Sequence, residues 1–275
     1  MKLEELNINP ELVYELLANF ITEETGKVGF KRAIVGLSGG LDSSAVTYLV
    51  AKAMGPRNVI AVFMPYKTSS AESKEHAELV MKKTGVRSCQ VDITPMVDAY
   101  FEKFPKADRN RQGNKMARER MSILYDLSAS EKALVIGTSN KSELLLGYGT
   151  LYGDVACAIN PIGDLYKTQV RQLASFLEVP HQIIKKAPTA DLWAGQTDEG
   201  ELGFTYEEVD RLLYYMVDRR KSVSQLVKLG FKRGFAERVE KIVRLNQFKR
   251  SLPIIAKVSH RTVGIDFRYP RDWGV

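Results

Sequence analysis

The residues best equipped for chemistry stand together in Gly36-Leu37-Ser38-Gly39-Gly40-Leu41-Asp42-Ser43, directly after the apolar run Ala33-Ile34-Val35. That run reads as a buried strand, and Ala45 to Ala51 beyond the loop has apolar residues at helical spacing. A loop feeding a helix N-terminus offers unpaired backbone N–H groups and partial positive charge, so the junction suits an anion such as phosphate. Gly39 and Gly40 let the backbone close on it, while Ser38, Ser43 and Ser44 add hydroxyl donors. Asp42 would be repelled by phosphate, but it suits the Mg²⁺ that accompanies a nucleotide. The loop lacks the Gly-Lys-Ser/Thr ending of a P-loop, and it is not a G-x-G-x-x-G fingerprint. A plain Gly/Ser turn with an Asx cap explains Asp42 and Ser43, but not a double glycine straight after a buried strand.

Elements that alternate between strand and helix must position this loop. Pro10 to Thr25 carries Leu12, Val13, Leu16, Leu17, Phe20 and Ile21 at helical spacing. A second strand is predicted over Asn58 to Pro65, a helix over Ala71 to Thr84, a third strand over Ser88 to Ile93 and a helix from Thr94-Pro95 to Phe101. The polar, basic stretch Pro105 to Gly113 reads as a mobile loop, and Asn114 to Ser130 as a helix carrying Arg118, Glu119 and Arg120. Ala133 to Gly137 is a fourth buried strand, followed by Thr138-Ser139-Asn140 and a new helix start. Such alternation implies right-handed crossovers and an open, mostly parallel α/β sheet with helices on both faces. Ligands of these sheets collect at strand C-termini, which puts Thr138 and Glu143 near the first loop.

Further on, Gly147 to Asp154 is too glycine-rich for regular structure and reads as a loop shaping the site. The segment Asn160 to Lys167 enters a helix running to about Glu178, and the Gly-, Asp- and Glu-rich stretch after Leu192, ending near Gly203, suggests a lid. Thr205 can cap a helix with an acidic first turn, Tyr206-Glu207-Glu208. Helices near Ser222 to Leu229 and Phe235 to Phe248 complete the set, and the chain ends in an irregular arm to Val275. With no internal repeat or clear linker, residues 1–275 are expected to form a single domain.

Composition narrows the function classes. The 275 residues are 44% hydrophobic and 27% charged, as in an ordinary globular protein. No apolar run approaches a membrane span and the N-terminus is acidic rather than signal-like, so a cytoplasmic protein without a membrane partner is expected. Cys89 and Cys157 are the only cysteines, which leaves no disulfide framework and no CxxC pair. The net charge of +7 fits an anionic partner or a solvated basic face. Much of the excess lies between Arg219 and Arg271, without the aromatic–basic repeat of a nucleic-acid groove, so no nucleic-acid partner is expected.

The Ser-Gly-Gly-x-Asp-Ser pattern of Ser38 to Ser43 resembles the pyrophosphate loop of the N-type ATP pyrophosphatases. Taken in order with Ala117-Arg118-Glu119-Arg120-Met121, Gly137-Thr138 with Glu143, Gly153-Asp154, Asn160-Pro161 and Lys186 to Leu192, it resembles the ammonia-dependent NAD synthetases. The resemblance implies an adenine nucleotide alpha hydrolase-like fold and a ligase that adenylates deamido-NAD with ATP, releases pyrophosphate and lets ammonia displace AMP. It implies ATP contacts from Gly36 to Ser43, Thr138, Lys167 and Thr189. Asp42 and Lys167 would act in catalysis, Asp42 and Glu143 would ligate Mg²⁺, and Arg118 and Lys249 would bind the dinucleotide. It also implies a homodimer. The chain has no room for a glutaminase domain before Gly36, so free ammonia, or ammonia from a separate partner, is the expected nitrogen source.

Two positions depart from the family pattern: Leu151 stands where a lysine is common and Ala158 where an aspartate is common, and both bear on dinucleotide contacts. Phe248-Lys249 likewise replaces a common His-Lys pair. Other adenylating enzymes of the superfamily and a nucleotide-binding regulator are the competing classes. A thiolating enzyme would want a paired or nucleophilic cysteine, and Cys157 reads as a core thiol. The three histidines, His76, His181 and His260, fall outside the motifs and read as structural or surface residues.

Overall fold

Arg32 to Gly36 pairs with Val59 to Phe63 on one side and Ala133 to Ile136 on the other, placing the Gly/Ser loop at the centre of a parallel sheet. The computed structural model describes residues 4–193, 195–251 and 253–267. In chain order the first elements are α1 (Pro10–Lys27), β1 (Arg32–Gly36), α2 (Leu41–Met54), β2 (Val59–Phe63), α3 (Ala71–Thr84) and β3 (Arg87–Gln90). They are followed by α4 (Thr94–Phe101), α5 (Arg109–Glu131), β4 (Ala133–Ile136), α6 (Lys141–Leu146), α7 (Lys167–Phe176) and α8 (His181–Lys185). The last helices are α9 (Asp198–Leu202), α10 (Tyr206–Leu213), α11 (Val223–Lys228) and α12 (Arg233–Leu245).

The strand order is β3-β2-β1-β4. The chain runs outward through β2 and β3, then returns to place β4 on the opposite side of β1. That reversal makes a switch point between β1 and β4, where the diverging connections leave a crevice at the strand C-termini. Gly36 ends β1 there, and Gly137 directly follows the end of the neighbouring β4 at Ile136, one residue short of the predicted strand.

Side-chain alternation serves both faces. Ala33, Val35, Ala61 and Phe63 join a core with residues of α1, α2, α3, α7 and α8, while Ile34, Ile60, Val62 and Val135 join another with α4 and α5. Their near-complete burial is the pattern of a parallel sheet covered on both sides. A third cluster, with Leu146, Tyr166, Tyr206, Val209, Leu212 and Leu226, packs α6 and the chain before α7 against α10, α11 and α12.

One predicted segment differs. The stretch Pro105 to Gly113 is not all loop, because Asp108 caps Arg111 N–H at 2.8 Å and α5 starts at Arg109. A polar first turn hid this start from a reading based on apolar period. The proposed lid also contains α9, capped by Thr197, and ends at Gly203 with φ +74°. The predicted Thr205 cap forms a capping box with Glu208. Residues 253–267 contain no helix and only one isolated bridge, and the rest of the expected arm lies outside the described residues.

Candidate functional site

The chain leaves β1 at Gly36 and turns at once into α2, whose N-cap Gly40 supplies no side-chain hydrogen bond to the first turn. The loop is braced internally. Ser38 N–H donates to Ser43 Oγ at 3.2 Å, the two serine hydroxyls lie 3.0 Å apart, and Ser43 Oγ donates to the Gly40 carbonyl at 3.2 Å. Gly39 has φ +80°, and a Cβ there would lie 2.2 Å from the Ser73 carbonyl oxygen of α3. The glycine lets loop and helix touch.

A cavity of about 430 Å³ opens at this switch point. Gly36, Leu37, Ser38, Gly40, Leu41, Asp42 and Ser43 line it, together with Thr138, Glu143, Lys167, Thr189 and Lys249. Gly39 turns toward α3 instead. Of the residues expected from the sequence, Arg118 stands apart: it is exposed, and its Nε donates to the Leu151 carbonyl at 3.2 Å. Arg120, two positions on, does line the cavity and holds the Met64 carbonyl through Nε at 2.9 Å. Helical geometry separates the two by about 200°. The buried stripe Gly113, Met116, Ala117, Met121 and Leu124 already marked the side on which Arg120 lies.

The centre of the site is an ammonium between carboxylates. Lys167, the first residue of α7, places Nζ 2.5 Å from Asp42 Oδ2 and 2.9 Å from Glu143 Oε1. Asn140 Nδ2 donates to Asp42 Oδ1 at 3.0 Å, and Asn140 forms a capping box with Glu143 at the start of α6. Lys167 is 3% exposed, and the Tyr206 ring lies 5.1 Å from Nζ. Burial alone would lower the lysine pKa, but Asp42 and Glu143 outweigh it and push it up. The Glu143 carboxyl is pushed up to about 8 by burial, against the pull of Lys167 and with a further push from Asp42 and Asp198.

That shift has a sign for stability. A carboxyl raised from 4.5 to about 8 binds its proton more tightly in the folded chain, so its contribution is complete below 4.5 and lost as pH rises through about 8. Glu143→Gln is expected to flatten the fall in thermal midpoint between those two pH values. A slope identical to that of the unsubstituted chain would count against the buried, proton-holding carboxyl.

Sequence reasoning missed Asp198, Tyr148 and Lys186 as members of the cavity wall. Tyr148 Oη lies 3.0 Å from Asp198 Oδ1 and 2.9 Å from Glu201 Oε2, its one proton shared between them, which ties α9 to the glycine-rich loop. Lys186 reaches Ser73 Oγ at 3.1 Å and Glu72 at 3.2 Å. The signals were there by segment only: Lys186 opens the Lys186 to Leu192 motif, Tyr148 lies in the glycine-rich loop and Asp198 in the acidic stretch of the proposed lid. Thr189 Oγ1 accepts from Asp191 N–H at 3.0 Å, and Asp191 in turn accepts from Ser70 N–H at 3.1 Å. Lys249 donates to the Gly147 and Gly149 carbonyls at 2.6 and 2.8 Å, fastening the glycine-rich loop. Cys157 is partly buried in the sheet core, and burial raises its thiol pKa, as suits a core thiol.

The arrangement can bind a polyphosphate at a helix N-terminus and hold positive charge beside it. A family model described as NAD synthase matches residues 13–253. The NH(3)-dependent NAD(+) synthetase of Trichlorobacter lovleyi is 60% identical over 269 residues, which cover 98% of each chain. The solved NH3-dependent NAD synthetase of Campylobacter jejuni superposes with TM-score 0.79 at 33% identity, covering 91% of this chain and all of that one. An NMN synthetase from Francisella tularensis superposes with TM-score 0.81 at 29% identity, covering 91% of this chain and 99% of that one. The extent of the family match and the end-to-end identity agree with the strand order and the loop, and the chain belongs to the NAD synthase family.

Proposed function

We propose that the chain is a ligase that converts deamido-NAD, ATP and ammonia into NAD, AMP and pyrophosphate through an adenylated intermediate. The observation that carries this reading is the buried Lys167 ammonium held between Asp42 and Glu143, beside the Ser38 to Ser43 loop at the switch point. In the first half-reaction the nicotinate carboxylate attacks the α-phosphorus of ATP, and the bond to the pyrophosphate oxygen breaks. The loop N–H groups and serine hydroxyls would bind the phosphates, and Lys167 would offset the charge gathering on the leaving pyrophosphate. Thr138 and Thr189 line the same cavity and supply further hydroxyls for ATP. In the second half-reaction ammonia attacks the acyl carbon and AMP leaves. The α9 segment, held to Tyr148 through Asp198 and Glu201, would keep water from competing.

Asp42 and Glu143 fit Mg²⁺ as well. Both offer hard oxygen donors that converge on one point of the cavity, where each meets Lys167 Nζ. An ion there would be held by these two carboxylates together with substrate phosphates. When bound, Mg²⁺ would supply Lewis-acid neutralisation of phosphate charge. Lys249 and Arg120 supply positive charge on the cavity wall for an anionic dinucleotide, while Arg118 lies outside the wall and would need a substrate that extends past it.

The reading includes one functional domain, because loops of the sheet and residues beside the third helical cluster line the same cavity. It also includes a homodimer, supported by Leu12 and Leu16 standing exposed on α1. Among the described residues no helix is long and apolar enough to cross a membrane, and a cytoplasmic address is part of the reading.

The test is to supply deamido-NAD, ATP, Mg²⁺ and ammonium, measure NAD and pyrophosphate together, and use glutamine as the comparison nitrogen source. Equal amounts of both products with ammonium, and far less with glutamine, are expected. ATP binding without either product would sink the reading. The superposition on an NMN synthetase favours a second reading in which the acid is nicotinate mononucleotide, and running that acid in parallel separates the two.

A further inference from the structure

The first N–H groups of a helix have no partner inside it. At α7 they are satisfied from two other helices. Lys167 N–H donates to Ser142 Oγ of α6 at 2.9 Å, and Thr168 N–H donates to Asp210 Oδ2 of α10 at 2.9 Å. Ser142 Oγ donates in turn to Asp210 Oδ1 at 2.5 Å. Ser142 immediately precedes Glu143, and Thr168 immediately follows Lys167. The three bonds therefore join α6 and α7 within one residue of the two side chains that meet at 2.9 Å in the site.

Asp210 does not touch the cavity. It is fully buried, and its neighbours Val209, Leu212 and Leu213 anchor α10 in the third apolar cluster. Burying a carboxylate is costly unless its oxygens are satisfied, and a serine or asparagine would be a cheaper way to cap one helix. What the carboxylate adds is two acceptor oxygens on one rigid plane, so it can serve α6 and α7 at once. Its negative charge also faces the positive end of α7.

We propose that Asp210 is a positioning residue for the reaction: it clamps the start of α7 to α6 and so holds Lys167 against Asp42 and Glu143. This rests on the role given to Lys167 under the proposed function. In Asp210→Asn the amide keeps one acceptor oxygen for Thr168 N–H, while its NH₂ faces Ser142 Oγ and no longer accepts from it. The clamp loosens without leaving a cavity.

The experiment compares the unsubstituted chain, Asp210→Asn and Leu226→Val, a mild change in the same apolar cluster at a residue that takes no part in the three hydrogen bonds. All are assayed below their melting transitions for kcat, KM and ATP-binding stoichiometry. Small errors in placing a catalytic group are costly, so Asp210→Asn is expected to lower kcat at least about tenfold. One ATP per chain and near-normal KM should be kept, and Leu226→Val should keep kcat. A purely structural role would instead lower binding stoichiometry along with turnover. Unchanged kcat in Asp210→Asn, or an equal loss in Leu226→Val, overturns the proposal. If the unsubstituted chain itself makes no NAD, the functional reading fails, which is a separate result from an active chain indifferent to Asp210.

Discussion

Lys167→Ala is expected to lower kcat for NAD and pyrophosphate formation about 10³-fold, the upper end of what one preorganised electrostatic group contributes. The ammonium already sits between Asp42 and Glu143, so it reaches the transition state without reorganising, and alanine leaves nothing in its place. The same substitution reaches the fold. It strips the cation from between two carboxylates in a buried site, and breaking such a buried pair typically costs about 3–5 kcal/mol. Without Lys167, nothing opposes the burial that raises Glu143, so its carboxyl moves further up and the stability loss grows with pH. Thermal melts at low and high pH, run beside the kinetic assay, check both parts. Turnover close to that of the unsubstituted chain would remove Lys167 from the chemistry, and a pH-independent stability loss would remove the coupling to Glu143.

Gly39→Ala should be the most damaging small substitution in the loop. At φ +80° an alanine carries a backbone penalty of about 1–2 kcal/mol. Its Cβ would also lie 2.2 Å from the Ser73 carbonyl oxygen and 3.2 Å from Ala77 N, which are backbone atoms of α3 that cannot rotate away. The loop or the helix must move, and overpacking of this kind adds about 1–3 kcal/mol. Because the loop cradles the proposed phosphate site, ATP affinity should fall along with stability. Gly40→Ala is the comparison: its φ is −83° and the nearest contact to an added Cβ is Ser38 Oγ at 3.4 Å. Chemical denaturation should show a large loss for Gly39→Ala and a small one for Gly40→Ala. Equal losses would mean that close approach to α3 does not set the requirement for glycine.

Much of the frame was legible before any coordinates. The predicted helices over Ala71 to Thr84 and Thr94 to Phe101 match α3 and α4 residue for residue, and four strands occur where four were expected. These are local features: apolar period, a serine cap at Ser70, Gly85 in the left-handed region and Pro95 in a first turn all act within a few residues. The Ser38 to Ser43 loop was legible for the same reason, since its strand, glycines and helix start are contiguous. The start of α5 escaped because a polar first turn carries no apolar period, and only the Asp108 cap marks it.

The amino-acid sequence by itself determined the parallel α/β frame, the Ser38 to Ser43 loop between β1 and α2, and the family to which the chain belongs. Tertiary structure decided which side chains meet. Asp42 and Lys167 are 125 residues apart, Asp42 and Asn140 are 98 apart, and Ser142 and Asp210 are 68 apart. No periodicity links such positions, because their encounter follows from the order β3-β2-β1-β4 and the packing of α6, α7 and α10 against one another. The same holds for Arg120 over Arg118 as a wall residue and for the raised Glu143 carboxyl. Desolvation depends on everything packed around a charge, and that surrounding exists only once the chain has folded.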